Sequence, residues 1–178
     1  RAAFTTSLAR PDYYALSPFV SVIPDDDSAI DAGNPNLNAT YAYNFDFMAE
    51  KYFKSVGILS GGVFYKNLTD FIYTYRDNQY TNEQFASDFP SLINPIPAEN
   101  PGNWSLTQQR NGENVDVFGF EVALQRQLDF ISGKFFKGVA VYLNYTYTDS
   151  KAKGITNADG EERKNVTLPG TAPHMFNS

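Results

Sequence analysis

At 178 residues the chain is the length of one ordinary domain, and its 42% apolar content is too high for a disordered segment. With no Cys and a single His174, disulfide frameworks, thiolate zinc sites, cysteine nucleophiles, His triads and His metal clusters are all excluded. A formal charge of -6 disfavours nucleic acid as a partner, since phosphate backbones reward clustered Lys and Arg.

Aromatic residues make up 16% of the chain, yet mean hydropathy is only -0.39, a mixture that suits a sheet with one apolar and one wet face. No run approaches the roughly 18 apolar residues that a spanning helix requires. The first predicted element is a weak strand over residues 2–9. It leads into residues 10–38, a long segment rich in Asn, Asp and Pro with no clear period. Within it, Asp25-Asp26-Asp27-Ser28-Ala29-Ile30-Asp31 superficially resembles a calcium loop. Ile30 stands where the sharp turn needs Gly, and Asn36 stands where a bidentate Glu should close the site, so a solvated acidic loop is the better reading.

Residues 39–53 carry the clearest period. Ala39, Tyr41, Tyr43, Phe45, Phe47, Ala49, Lys51 and Phe53 share one parity, which is mostly aromatic, while Thr40, Ala42, Asn44, Asp46, Met48, Glu50 and Tyr52 share the other, which is mostly polar. The tight link Lys54-Ser55-Val56 leads to a less regular strand over residues 57–75. There the parity changes near Lys66, and a bulge is expected. Gly57, Gly61 and Gly62 lack the Lys-Ser or Lys-Thr of a phosphate loop and are read as strand glycines. A second long segment follows at residues 76–114. Its Tyr80, Trp104 and Arg110 are the predicted ligand-binding residues, because aromatic faces and a guanidinium suit sugars or anionic chelates.

Alternation returns at residues 115–128, where Phe118, Phe120, Val122, Leu124 and Leu128 share a parity with Asp116 and Arg126. Glu121 falls on the opposite side. A compact turn containing Asp129, Ser132, Gly133 and Lys134 leads to a strand over residues 139–147. Its Tyr145 and Tyr147, like Tyr41 and Tyr43, are expected at the loop side as an aromatic girdle. The last long segment spans residues 151–168, and a weak strand spans 172–178. The five Asn-x-Ser/Thr sequences, such as those at Asn38 and Asn103, are put down to composition.

Short and long connections therefore alternate. In a compact soluble domain such long loops would count against the strands. In an outer-membrane barrel, with short periplasmic turns and long extracellular loops, they are expected. The fold class implied is all-β: an antiparallel meander forming a partial transmembrane β-barrel of about six strands, the whole of 1–178 being one segment of a larger barrel. Asp46, Glu50 and Glu121 would then face its lumen.

Several short pieces now resemble a known family in their order and spacing. They are Leu8-Ala9-Arg10-Pro11, Gly33-Asn34-Pro35-Asn36-Leu37, Asn44-Phe45-Asp46, Gly62-Val63-Phe64-Tyr65-Lys66 with Asp70-Phe71-Ile72, Gly119-Phe120-Glu121, Asn144 through Ser150, and Leu168-Pro169-Gly170 with Pro173-His174. Together they resemble the later barrel strands of TonB-dependent outer-membrane receptors over nearly the whole chain. After Leu37 the family commonly continues with a basic residue and Pro-Glu, where this chain has Asn38-Ala39-Thr40. The resemblance implies uptake of a scarce nutrient (an iron chelate such as a siderophore, a cobalamin or a glycan) and contact with outer-membrane lipid. It also implies a plug domain and an inner-membrane TonB complex engaged through regions absent here. No catalytic residue, metal site or cofactor is implied. Six strands cannot close a barrel of about 22, the class of plugged transporters.

Two rival classes fit the sequence less well. A soluble β-sandwich that stacks sugars on aromatic side chains would explain the strands, but not the length of the alternation in residues 39–53 or the one-sided loops. A glycosidase would need a paired carboxylate site, and none of the 20 acidic residues is singled out by spacing.

Overall fold

The computed structural model describes residues 1–23, 28–54, 56–96, 104–164, 166–168 and 170–178. Six strands form one sheet: β1 (Ala2–Ala9), β4 (Thr40–Tyr52), β5 (Gly57–Thr69), β8 (Asn114–Gln127), β9 (Ala140–Ala152) and β10 (His174–Asn177). They pair in the order β1-β4-β5-β8-β9-β10, every neighbour antiparallel, so strands adjacent in this sheet also follow one another along its path. The meander is open, as a segment of a larger barrel must be.

The register decides which side chains share a face. Phe4, Phe45, Tyr65 and Phe118 are directly opposite one another across four strands, and the next row on that face is Phe47, Val63, Phe120 and Tyr147. The aromatic parities of separate strands are thus gathered onto one face, where Phe4, Phe45, Phe47 and Phe118 are each at least half exposed. Cross-strand pairs are the unit of sheet stabilisation, and the Phe4 and Phe45 rings lie 4.7 Å apart between centroids.

On β8 the two charges of this parity, Asp116 and Arg126, sit at opposite ends; Lys51 on β4 and Asp149 and Lys151 on β9 fall on the same face, also towards the strand ends, and together these residues bound an apolar band. Asp116 accepts hydrogen bonds from the Tyr65 hydroxyl at 2.5 Å and Asn67 Nδ2 at 2.8 Å. The Arg126 guanidinium lies 4.3 Å from the Phe53 ring centroid and 3.9 Å from that of Phe130. At about 3.3 Å per residue and a strand tilt near 40°, ten residues of strand span about 25 Å of membrane depth, the height of a barrel's lipid-facing band.

Short connections lie at the Arg126 end. Phe53 N–H donates to Gly57 O at 3.0 Å, closing the β4–β5 turn, in which Ser55 lies outside the described residues. The β8–β9 link is longer than its sequence implied: Leu128 N–H donates to Val139 O at 2.9 Å, a short 3-10 turn covers Phe136–Gly138, and β9 starts at Ala140. It also continues to Ala152, beyond the expected end at Tyr147. This extension corrects the girdle. Tyr41 and Tyr43 do stand at the loop end, but Tyr145 and Tyr147 are mid-strand, where Tyr145 Oη and His174 Nδ1 share a 2.8 Å hydrogen bond on the aromatic face.

The expected bulge near Lys66 is absent. The β5 register runs unbroken through Lys66 against both neighbours, and β5 ends at Thr69, just before Asp70, whose φ of 53° is left-handed backbone that Asp tolerates. The irregular parity has another cause. Phe64 is an aromatic residue on the polar face, where its ring occupies the space that a side chain at Gly119 would fill.

The segments at residues 10–38 and 76–114, expected to lack structure, instead build a second sheet. It contains β2 (Val20–Ile23), β3 (Ala29–Ala32), β6 (Ile72–Tyr80) and β7 (Trp104–Asn111) in the order β2-β3-β7-β6, with β3 and β7 parallel. The periods are short and interrupted by turns, so no single stretch signals them. Two helices, α1 (Tyr13–Leu16) and α2 (Asn82–Asp88), complete this region.

Candidate functional site

The β6–β7 hairpin is a continuation of the β5–β8 hairpin past a kink. Across the kink Asp70 N–H donates to Glu113 O at 2.8 Å and Gly112 N–H donates to Phe71 O at 2.7 Å. Gly112 is required because the Phe71 ring lies where its Cβ would be. Asn111 fixes the junction. Its Nδ2 donates to Asp70 O at 2.7 Å and Asn38 O at 3.1 Å, and its Oδ1 accepts from Asn38 N–H at 2.8 Å, so the return of the first long loop is tied to the kink.

Above the kink the loop sheet has its own apolar core. Ile30, Tyr75, Tyr80, Phe85, Trp104 and Leu106 are all buried within it, and Phe85 is 1% exposed. α2 is positioned by a capping box: Thr81 Oγ1 accepts from Gln84 N–H at 3.2 Å, and Gln84 Oε1 accepts from Thr81 N–H at 2.6 Å. Gln84 Nε2 also donates to the buried Asp77 at 3.2 Å, leaving that carboxylate satisfied.

Two of the three predicted ligand contacts lie in this core. Tyr80 and Trp104 are only 2% and 6% exposed, so neither presents a ring face to solvent. Tyr80 Oη donates to Asp88 Oδ2 at 2.7 Å, and burial, with that carboxylate beside it, pushes its pKa well above the ordinary phenol value. Arg110 is on the same sheet, but its guanidinium lies 3.6 Å from the Tyr75 ring centroid and its Nε donates to Gln108 Oε1 at 3.2 Å. The structure brings these residues into one loop unit and buries the two that sequence reasoning favoured as exposed platforms. Nothing in a sequence separates a buried loop aromatic from an exposed one unless the loop's strands are already recognised.

Asp46, Glu50 and Glu121 lie on the face opposite the aromatic band. Glu50 accepts from the Tyr52 hydroxyl at 2.8 Å. They are not brought together with the loop residues. Asp25, Asp26 and Asp27 lie outside the described residues, as do Asn103, Asn165 and Pro169. Among the described residues no cluster of three or more metal-ligating side chains occurs.

Sequence reasoning missed a cavity of about 680 Å³ where the loops meet the polar face of the main sheet. Its floor includes Leu68, Val115 and Ala152, all on the polar parity of β5, β8 and β9, and Val115 is completely buried. Its walls are the start of β6 and the third long loop, which doubles back so that Ala152 N–H donates to Val166 O at 2.8 Å and Arg163 N–H to Ile155 O at 2.7 Å. Tyr73 locks the walls together: its hydroxyl accepts from Thr156 N–H at 3.2 Å and shares a 3.1 Å hydrogen bond with Thr156 Oγ1. The volume lies within the roughly 300–1,000 Å³ of small-molecule pockets.

Comparison with protein families gives one result that covers everything described. Residues 1–178 match the family described as TonB dependent receptor-like, beta-barrel. A search of curated proteins finds no match.

Proposed function

Because the chain belongs to the TonB-dependent receptor β-barrel family, a family of outer-membrane receptors and transporters of Gram-negative cells rather than enzymes, we propose that it forms barrel wall and ligand-capturing loops for nutrient uptake. The observation that carries this reading is the ordered loop unit built at one end of the membrane-depth sheet, with a small-molecule cavity at its base. Capture occurs at that end, since among the described residues the other end carries only the two short strand connections. Tyr80 and Trp104 act by holding the loop sheet in shape, with Arg110 at its surface, while Asp46, Glu50 and Glu121 face the lumen and its plug. The cargo is an iron chelate, a cobalamin or a glycan, taken up with energy from the inner-membrane TonB complex.

The kink geometry supplies the test. Phe71 and Gly112 are already bridged by a backbone hydrogen bond, so residues 72–111 can be replaced by a short turn without stretching β5 or β8. In the full-length receptor this excision is expected to leave membrane insertion intact and abolish uptake of whichever of the three cargoes the receptor supports. Unchanged uptake would reject loop capture.

A further inference from the structure

The cavity at the loop base has a charge pattern unlike that of the chain around it. Acidic residues outnumber basic ones 20 to 14 in the sequence, yet among the described residues the only charged ones lining this cavity are Arg10 and Arg163. Neither guanidinium has an ion-pair or hydrogen-bond partner among the described residues. The other lining is predominantly apolar, with Leu68, Phe71, Val115 and Ile155 among its residues. A net-negative protein that lines an apolar cavity with two unpaired arginines and, among the described residues, no carboxylate has a site complementary to an anion carrying an apolar body.

We propose that this cavity binds an amphipathic small-molecule anion: its carboxylate or similar acidic group is held by Arg10 and Arg163, and its apolar part lies on Leu68, Phe71 and Val166. The inference rests on the loop-capture reading above and narrows the cargo to that chemical class. Arginine suits the role because its planar fork matches a carboxylate in a two-point contact, and such charge-assisted bonds are about twice as strong as neutral ones. The apolar floor supplies affinity through area removed from water, and the Tyr73–Thr156 lock keeps both walls in place before the ligand arrives. Arg10 follows β1 and Arg163 lies in the third loop, so the anion would bridge two segments of chain that are far apart in sequence.

The test uses the full-length receptor in lipid nanodiscs and two probes of equal shape, 2-naphthoate and the neutral 2-naphthalenemethanol, with binding measured by calorimetry. The expected result is saturable binding of naphthoate, at least tenfold tighter than that of the alcohol. Arg10→Gln and Arg163→Gln should each weaken naphthoate several-fold, and the double variant should bring it to the level of the alcohol. Trp104 emission, which reports the neighbouring loop core, verifies that the variants keep the loop unit. Absence of naphthoate binding, equal binding of the alcohol, or full binding by the folded double variant would overturn the inference. If any of these occurs while excision of residues 72–111 still abolishes uptake, the capture reading stands and only the ligand class is wrong.

Discussion

Replacing Phe85 by Ala tests whether the loop sheet is a folding unit distinct from the barrel wall. Phe85 projects from α2 into the loop core, is 1% exposed, and has its ring centroid 5.1 Å from that of Phe89. Truncating a fully buried Phe costs about 3–5 kcal/mol, which combines lost transfer energy with the cavity left behind. At about 1.4 kcal/mol per tenfold, the opening equilibrium of the loop sheet should rise by about 10² to 10³·⁵. None of that cost should reach β4 or β5, because Phe85 packs against residues of the loop sheet and not of the main sheet. Amide hydrogen exchange on the full-length receptor reads both regions at once. Exchange in β6 and β7 should accelerate by two or more orders of magnitude while β4 and β5 keep their protection, and Phe85→Leu should restore most of the difference. Equal acceleration in the main sheet would refute the separation of the two units, and unchanged exchange in β6 and β7 would refute the packing role of Phe85.

Two further outcomes follow from the same geometry. The raised pKa of Tyr80 means that the folded loop holds the neutral phenol. The associated stability is complete below the unfolded value of about 10 and is lost as pH rises beyond it. Trp104 fluorescence should therefore report loop opening above about pH 10, with a weaker pH dependence in Tyr80→Phe; identical titrations would contradict the role given to Tyr80. In the main sheet, Gly119→Ala should cost at least about 1–3 kcal/mol in urea unfolding from lipid vesicles. The added methyl meets both the Phe64 ring and the Tyr147 carbonyl, and the carbonyl belongs to backbone that cannot simply rotate away.

What the sequence disclosed and what it hid divide along a physical line. A strand that crosses a membrane repeats its lipid-facing choice every second residue over a long stretch, so Tyr41 through Phe53 declare both their element and their face. Asp116 and Arg126 break that pattern in the sequence, and the structure shows why: each sits at an edge of the band with aromatic partners. The loop strands β2 and β3 have four residues each, too few for a period to emerge. The pairing of β3 with β7 joins residues far apart in the chain, which local pattern cannot reveal. Phe64 and Gly119 misled for a similar reason, since an aromatic residue over a glycine on the next strand mimics a parity change when only one strand is read. The cavity was invisible because Arg10, Leu68, Val115 and Arg163 come together only after five strands have been registered.

The central claim is that one face of the main sheet meets lipid and the other does not, and adjacent residues of β4 test it. Phe47 lies on the aromatic face well inside the band, and Met48 lies on the opposite face one residue later. Arg at a lipid-facing site near the midplane costs about 2–4 kcal/mol, whereas the same residue on the lumen side is tolerated. The measurement is the folded stability of the full-length receptor in lipid vesicles, by urea titration, for Phe47→Arg and Met48→Arg. The account predicts a loss of at least about 2 kcal/mol for Phe47→Arg and less than about 1 kcal/mol for Met48→Arg; equal losses, or the reverse order, would contradict it.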